Sequence, residues 1–102
     1  MTDAIKTNDT SKFGTILRSA EMLDVPVEIW ENLLINRHFK GDWGDLCPED
    51  KKTNDRAFKG EGHWILSVYK NAYKGKDIWI ETNGYGTPAD YNHTLVMFPE
   101  ER

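Results

Sequence analysis

The sequence contains a single cysteine, Cys47, among its 102 residues. One cysteine excludes an intramolecular disulfide and a multi-cysteine zinc site, and it is typical of a reducing compartment where thiols stay free. No apolar run reaches the roughly 18–20 residues of a membrane span. The first residues also lack the apolar stretch of a secretion signal. We therefore expect a cytoplasmic protein without a membrane segment.

Basic charge is scarce as well. The chain has 13 Lys and Arg against 17 Asp and Glu, a net charge of −4 at pH 7, and the basic residues form no block. Binding to duplex nucleic acid depends on clustered Lys and Arg that neutralise phosphates. We therefore expect no duplex nucleic acid among the partners.

Catalytic and metal-binding motifs are missing too. The histidines His38, His63 and His93 show no spacing typical of metal ligands, and we expect ordinary surface or capping residues there. Cys47 has no recognisable base, and Ser67 lies in no nucleophile-elbow pattern. The residues thus assemble no catalytic set, which predicts no cofactor or metal and favours a protein that is not an enzyme.

The composition, 38% hydrophobic and 29% charged, is typical of a globular protein. A chain of this length can bury a core without disulfides and is too short for two ordinary domains. We expect a flexible N-terminus over residues 1–11 and a single α+β domain over residues 12–102.

The first half of the domain is mainly helical by pattern. A short strand is predicted over residues 12–18, and Ser19 is a candidate N-cap for a short helix that ends at Asp24. A longer helix over about residues 26–38 carries its apolar side chains in one stripe. A further helix begins at Pro48 and ends before Gly60. The stripe consists of Val27, Trp30, Leu33 and Leu34.

The second half is predicted to be β-structure, with strands over residues 63–69, 76–82 and 93–98. In the first of these strands the more apolar alternating set is Trp64, Leu66 and Val68, so we expect these side chains to face the core. The pattern predicts an antiparallel sheet of three to four strands with two or three helices packed on one face.

Several blocks of the sequence resemble a family of small uncharacterised bacterial proteins that plasmids, phages and other mobile elements frequently encode. The resemblance covers about residues 39–101 and implies an association with such elements, but it supplies no function. Between Thr82 and Thr94 this chain carries extra residues, including Tyr85 and Tyr91. The blocks are Gly41-Asp-Trp-Gly-Asp45, Glu49-Asp-Lys-Lys, Asn54-Asp, Ile65-Leu-Ser-Val-Tyr69, Lys76-Asp-Ile-Trp-Ile80 and Thr94 to Pro99-Glu-Glu101.

The block from Asp42 to Asn54 is the candidate recognition site. Asp42, Trp43 and Asp45 place two carboxylates beside an indole in a turn, where side chains reach solvent and function often lies. The alternative is that Trp43 anchors the helices while the carboxylates accept turn hydrogen bonds. A second alternative is a divalent metal site, and hence a small hydrolase, built on Asp42, Asp45 and Asp50.

Aromatic residues on the predicted hairpin are the other candidates. Sheet packing is the simplest interpretation, a protein-binding face is the second and single-stranded nucleic acid the third. We include Trp79 among the binding residues. The four aromatics are Trp64, Tyr69, Tyr73 and Trp79.

These observations favour a non-enzymatic accessory protein of a mobile element that acts through contact with a host or element-encoded protein. One such action is inhibition of a system that handles nucleic acid. The sequence also leaves a homo-oligomer open.

Overall fold

The computed structural model describes residues 10–87 and 91–101. These residues form a four-stranded sheet and two α-helices, so the predicted α+β class is confirmed. Residues 1–9 of the segment predicted to be flexible lie outside the described residues. Residues 88–90, in the region where the chain carries extra residues, also lie outside them.

The strands are arranged in the order β1-β4-β3-β2. Strand β3 pairs antiparallel with both of its neighbours, whereas β1 runs parallel to β4. The prediction of an all-antiparallel sheet is therefore wrong at β1. Parallel neighbours need a long crossover, and here both helices and the β2–β3 hairpin lie between the two strands in the chain. The strands are β1 (Thr15–Arg18), β2 (Trp64–Tyr73), β3 (Lys76–Asn83) and β4 (His93–Met97).

The helices are α1 (Val27–Asn36) and α2 (Pro48–Phe58). Helix α2 begins as predicted, with Pro48 in its first turn and two acidic residues beside the positive end of the helix dipole. The short helix predicted after Ser19 is a 3₁₀ helix over Ala20–Asp24. Among the described residues, no helix has the length and apolar character needed to span a bilayer.

The apolar stripe of α1 is shorter than predicted. Leu33 and Leu34 are buried and Trp30 is partly buried, but Val27 is 43% exposed because it is the first residue of the helix. The core cluster joins Leu33 and Leu34 of α1 and Ala57 of α2 to the sheet. The packing of both helices on a single face stays a prediction.

The prediction for the core face of β2 is wrong. Ile65, Ser67 and Tyr69 are at most 1% exposed. On the opposite face Trp64 is 37% exposed and Val68 is partly buried, whereas Leu66 is buried. The reason is Ser67, whose hydroxyl lies 2.6 Å from the Nδ1 atom of buried His38. A polar residue on the core face thus has a partner 29 positions away in the chain, which alternation cannot reveal.

Candidate functional site

Four of the five predicted site residues lie together along the outer edge of β2. We call residues 42–45 together with Asn54 the β2 edge cluster. Gly44 forms a parallel bridge with Val68 of β2. Trp79, the fifth residue, lies on β3 opposite Val68 and is not part of this cluster.

The backbone of the cluster pairs with β2 as a short extra strand would. The Val68 N–H donates to the carbonyl of Trp43 at 3.1 Å, and the Asp45 N–H donates to the carbonyl of Val68 at 2.6 Å. Two residues further, the Lys70 N–H donates to the Asp45 carboxylate at 3.0 Å. Asp45 therefore binds β2 through both its main chain and its side chain.

Asn54 closes the adjacent part of the same edge from helix α2. Its side-chain amide donates to the Leu66 carbonyl at 2.7 Å, and its Oδ1 atom accepts from the Leu66 N–H at 3.2 Å. Asn54 is completely buried. The amide therefore replaces the peptide group of a neighbouring strand. The outward N–H and C=O groups of Leu66 and Val68 and the N–H of Lys70 all have partners.

Trp43 and Asp42 fix the position of the cluster. Trp43 is 3% exposed, donates through Nε1 to Asp55 at 2.9 Å, and packs edge-on against Phe58. The Asp42 carboxylate accepts from Arg37 at 2.7 Å and from the Gly44 N–H at 3.1 Å. The hydrogen bond from Arg37 lowers the pKa of Asp42, so this carboxylate stays ionised.

The four predicted recognition residues of the β2 edge cluster therefore all have partners within the chain. Asp42 and Asp45 remain exposed, and a role for them in binding stays a prediction. The metal-site alternative lacks its ligand group, because no three His, Cys, Asp or Glu side chains in the described part of the chain are grouped to hold an ion. Asp42, Asp45 and Asp50 do not converge.

Gly44 is the point where the edge cluster lies closest to β2. Its φ is 72°, and an added Cβ would overlap the Val68 carbonyl oxygen and lie 2.6 Å from Cδ1 of Tyr69. We expect Gly44→Ala to lower the free energy of unfolding by about 2–5 kcal/mol, through left-handed strain and overpacking. Urea denaturation measures this change.

The matched control is Gly60→Ala. Gly60 also has a positive φ, of 91°, but a Cβ there would meet nothing within 4 Å. Only the conformational strain remains, so we expect a loss of about 1–2 kcal/mol. Equal losses for the two variants would contradict the close approach at Gly44.

Sequence reasoning missed a second polar group, in the core. His38, expected at the surface, is completely buried between Ser67 and Thr82. Its Nε2 atom lies 2.9 Å from the hydroxyl oxygen of Thr82, which lies 2.7 Å from that of Thr94. Thr94 donates to the carbonyl of Phe13 at 2.8 Å. We call these four side chains the His38 chain: His38, Ser67, Thr82 and Thr94.

The hydrogen bond from Thr94 to the Phe13 carbonyl determines which group donates in every other hydrogen bond of the His38 chain. A carbonyl oxygen only accepts, so the Thr94 hydroxyl donates its hydrogen bond to the Phe13 carbonyl. Thr94 must therefore accept a hydrogen bond from the Thr82 hydroxyl. Thr82 then has no other proton and accepts from Nε2–H of His38. The imidazole is therefore the Nε2–H tautomer, and Nδ1 accepts from Ser67.

The pairing of Ser67 with His38 superficially suggests a nucleophile and its base. Both side chains are 0% exposed, whereas a nucleophile must touch its substrate. Burial lowers the pKa of His38 to about 3, so the ring is neutral at pH 7. The His38 chain therefore links β2, β3 and β4 within the core and does not form an active site.

The opposite edge of the sheet contrasts with the β2 edge. All four residues of β1 are exposed, Ile16 to 38% and Leu17 to 46%. Ser19 donates its N–H to the carbonyl of Val96 at 3.0 Å. Because a parallel ladder uses alternate residues, Leu17 also faces β4, and the backbone groups of Ile16 and Arg18 point outward. Among residues 10–87 and 91–101, no strand pairs with this edge.

Comparison of this chain with protein-family models, curated proteins and solved structures finds no match. The resemblance of residues 39–101 to a bacterial family stays a prediction.

Proposed function

We propose that this protein is a non-enzymatic binding module that takes an extended segment of a protein partner as a further strand at β1. The observation that carries the proposal is the difference between the two edges of the sheet. The β2 edge is covered by residues 43–45 and Asn54, whereas the β1 edge has no paired strand among the described residues.

The β1 edge offers both the affinity and the selectivity that strand addition needs. The N–H and C=O groups of Ile16 and Arg18 supply main-chain hydrogen bonds to any extended segment. The side chain of Leu17 lies on one face of the sheet and that of Ile16 on the other, so alternate residues of the partner meet apolar contacts. An acidic residue in the segment would complement Arg18.

The charge of the chain favours a protein partner over a nucleic acid. With a net charge of −4 and no basic block, the surface would repel a phosphate backbone. We extend the proposal to a cytoplasmic accessory protein of a mobile element that binds a host or element protein. The link to mobile elements comes from the family resemblance, and inhibition of a system that handles nucleic acid is an analogy from that genetic context.

A selection from random peptides tests the proposal without a known partner. Peptides of about ten residues, long enough for one strand, are selected on the purified protein. They are then measured against Ile16→Pro, which removes one outward N–H and leaves the bonds to β4 intact. We expect Ile16→Pro to weaken selected peptides at least about tenfold, the loss of about 1.4 kcal/mol.

Ile16→Thr is the matched control, because threonine keeps both the N–H and the preference for strand structure. We expect it to weaken binding less than Ile16→Pro. Selected peptides that bind Ile16→Pro as tightly as the parent would contradict the proposal. A stable homodimer that Ile16→Pro dissociates would also contradict it, since the edge would then belong to a second copy.

A further inference from the structure

A cavity of about 410 Å³ lies at the end of the molecule formed by the β2–β3 hairpin turn. The 3₁₀ helix Ala20–Asp24 forms one wall, and the turn forms the other. Val25 and Phe98, both buried, and Tyr73 supply apolar surface between the walls. The volume lies within the range of about 300–1,000 Å³ that is usual for small-molecule sites.

The helix wall is acidic. Glu21 and Asp24 both line the cavity. They are three residues apart in a 3₁₀ helix, which has three residues per turn, so their side chains project in the same direction. This wall therefore presents two carboxylates side by side.

The hairpin wall is basic. The Nζ atom of Lys74 lies 5.3 Å from the ring centre of Tyr73, and that of Lys76 lies 5.1 Å from the ring centre of Phe98. Cation–π contacts thus hold both ammonium groups over the aromatic surface of the cavity. Lys74 adopts a φ of 49° in the turn before Gly75, a conformation that costs a lysine energy and that asparagine or glycine adopts more readily.

The two walls do not neutralise each other. Among the described residues, no contact within 4.0 Å joins Lys74 or Lys76 to Glu21 or Asp24. The cavity therefore has two carboxylates on one wall and two ammonium groups on the other, with apolar surface between them. A ligand complementary to it carries an amine, a carboxylate and an apolar group.

We propose that this cavity binds a small zwitterion with an apolar side chain, namely an unblocked short peptide or a free amino acid. The ammonium group of the ligand faces Glu21 and Asp24, and its carboxylate faces Lys74 and Lys76. The apolar side chain lies against the apolar surface between the two walls. This site does not depend on the β1 edge, which lies on the other side of β4 from the hairpin.

Calorimetric titration with the unblocked dipeptide alanyl-phenylalanine tests the proposal. The N-acetyl form lacks the ammonium group and the C-terminal amide lacks the carboxylate. We expect each blocked form to bind at least about threefold more weakly, as loss of one partly exposed ion pair implies.

Two variants assign each end of the ligand to its wall. Lys76→Gln is expected to weaken the unblocked dipeptide about threefold or more and to leave the amide form nearly unchanged. Asp24→Asn is expected to weaken the unblocked dipeptide similarly and to leave the N-acetyl form nearly unchanged. Lys70→Gln is the control, since Lys70 is exposed on β2 and does not line the cavity.

Three results would overturn the proposal. They are equal affinity for blocked and unblocked dipeptides, an effect of Lys70→Gln as large as that of Lys76→Gln, and no binding of the unblocked dipeptide at about 10 mM. Circular dichroism of each variant checks that it is folded, so that a loss of binding reports on the site.

Discussion

Replacing Asn54 with alanine is expected to lower the free energy of unfolding by about 2–5 kcal/mol. The substitution removes two hydrogen bonds to Leu66 and leaves its N–H and C=O groups without their partner in a buried position. Each buried polar group that loses its partner costs about 1–3 kcal/mol. Such a loss is a large share of the roughly 5–15 kcal/mol that stabilises a domain.

Urea denaturation measures the loss, and amide hydrogen exchange locates it. We expect the Leu66 amide to exchange faster in Asn54→Ala than in the parent under native conditions, because its acceptor is Oδ1 of Asn54. Asn32→Ala is the matched control. Asn32 is exposed on α1 and bonds to Asn36, so its loss is expected within about 0.5 kcal/mol.

The outcome also decides how the β2 edge cluster acts. If Asn54→Ala is destabilised and its folded fraction still binds the peptides selected at β1, the cluster maintains the sheet. A stable Asn54→Ala protein would contradict the structural role and leave Asn54 as a recognition residue.

Local signals predicted the elements that local chemistry determines. Pro48 followed by two acidic residues marked the start of α2, and the turn residues before Lys76 marked the hairpin. Both signals lie within a few residues of the feature they predict. The hairpin strands are longer than predicted because Asn71, with a φ of 52°, lies in a bulge that lets β2 continue to Tyr73.

Features that depend on distant partners could not be predicted in the same way. Nothing near β1 shows that it pairs with β4, which lies more than 70 residues later. The role of Asn54 depends on the position of β2 at the edge of the sheet. An asparagine in a polar helix pattern is ordinarily exposed, and only the strand order shows why this one is buried.

Acidification is expected to destabilise the protein through His38. Burial places the pKa of His38 at about 3 in the folded state, against 6.5 for an ordinary histidine. The unfolded chain therefore binds a proton between these values that the folded chain does not bind. The stabilisation is complete above about pH 6.5 and declines as the pH falls toward 3.

Between pH 7 and pH 4 this linkage amounts to about 3 kcal/mol. The hydrogen bonds of His38 also predict that its protonation destabilises the folded state. A proton on Nδ1 would meet the Ser67 hydroxyl, which already donates to that atom, and the one-way order of the His38 chain would have to reverse at Ser67. The charge would also lie in a site that is 0% exposed.

The test compares the pH dependence of three proteins by urea denaturation at pH 7, 5.5 and 4. Carboxylates such as Asp42 also favour unfolding in acid, because the hydrogen bond from Arg37 lowers the pKa of Asp42. All three proteins share that contribution.

His38→Gln is expected to be less stable than the parent at pH 7, since it disturbs the hydrogen bonds of the His38 chain. It should lose about 3 kcal/mol less between pH 7 and pH 4. His63→Gln changes an exposed histidine and should follow the parent. If His38→Gln and the parent lose the same stability on acidification, His38 is not held neutral by burial.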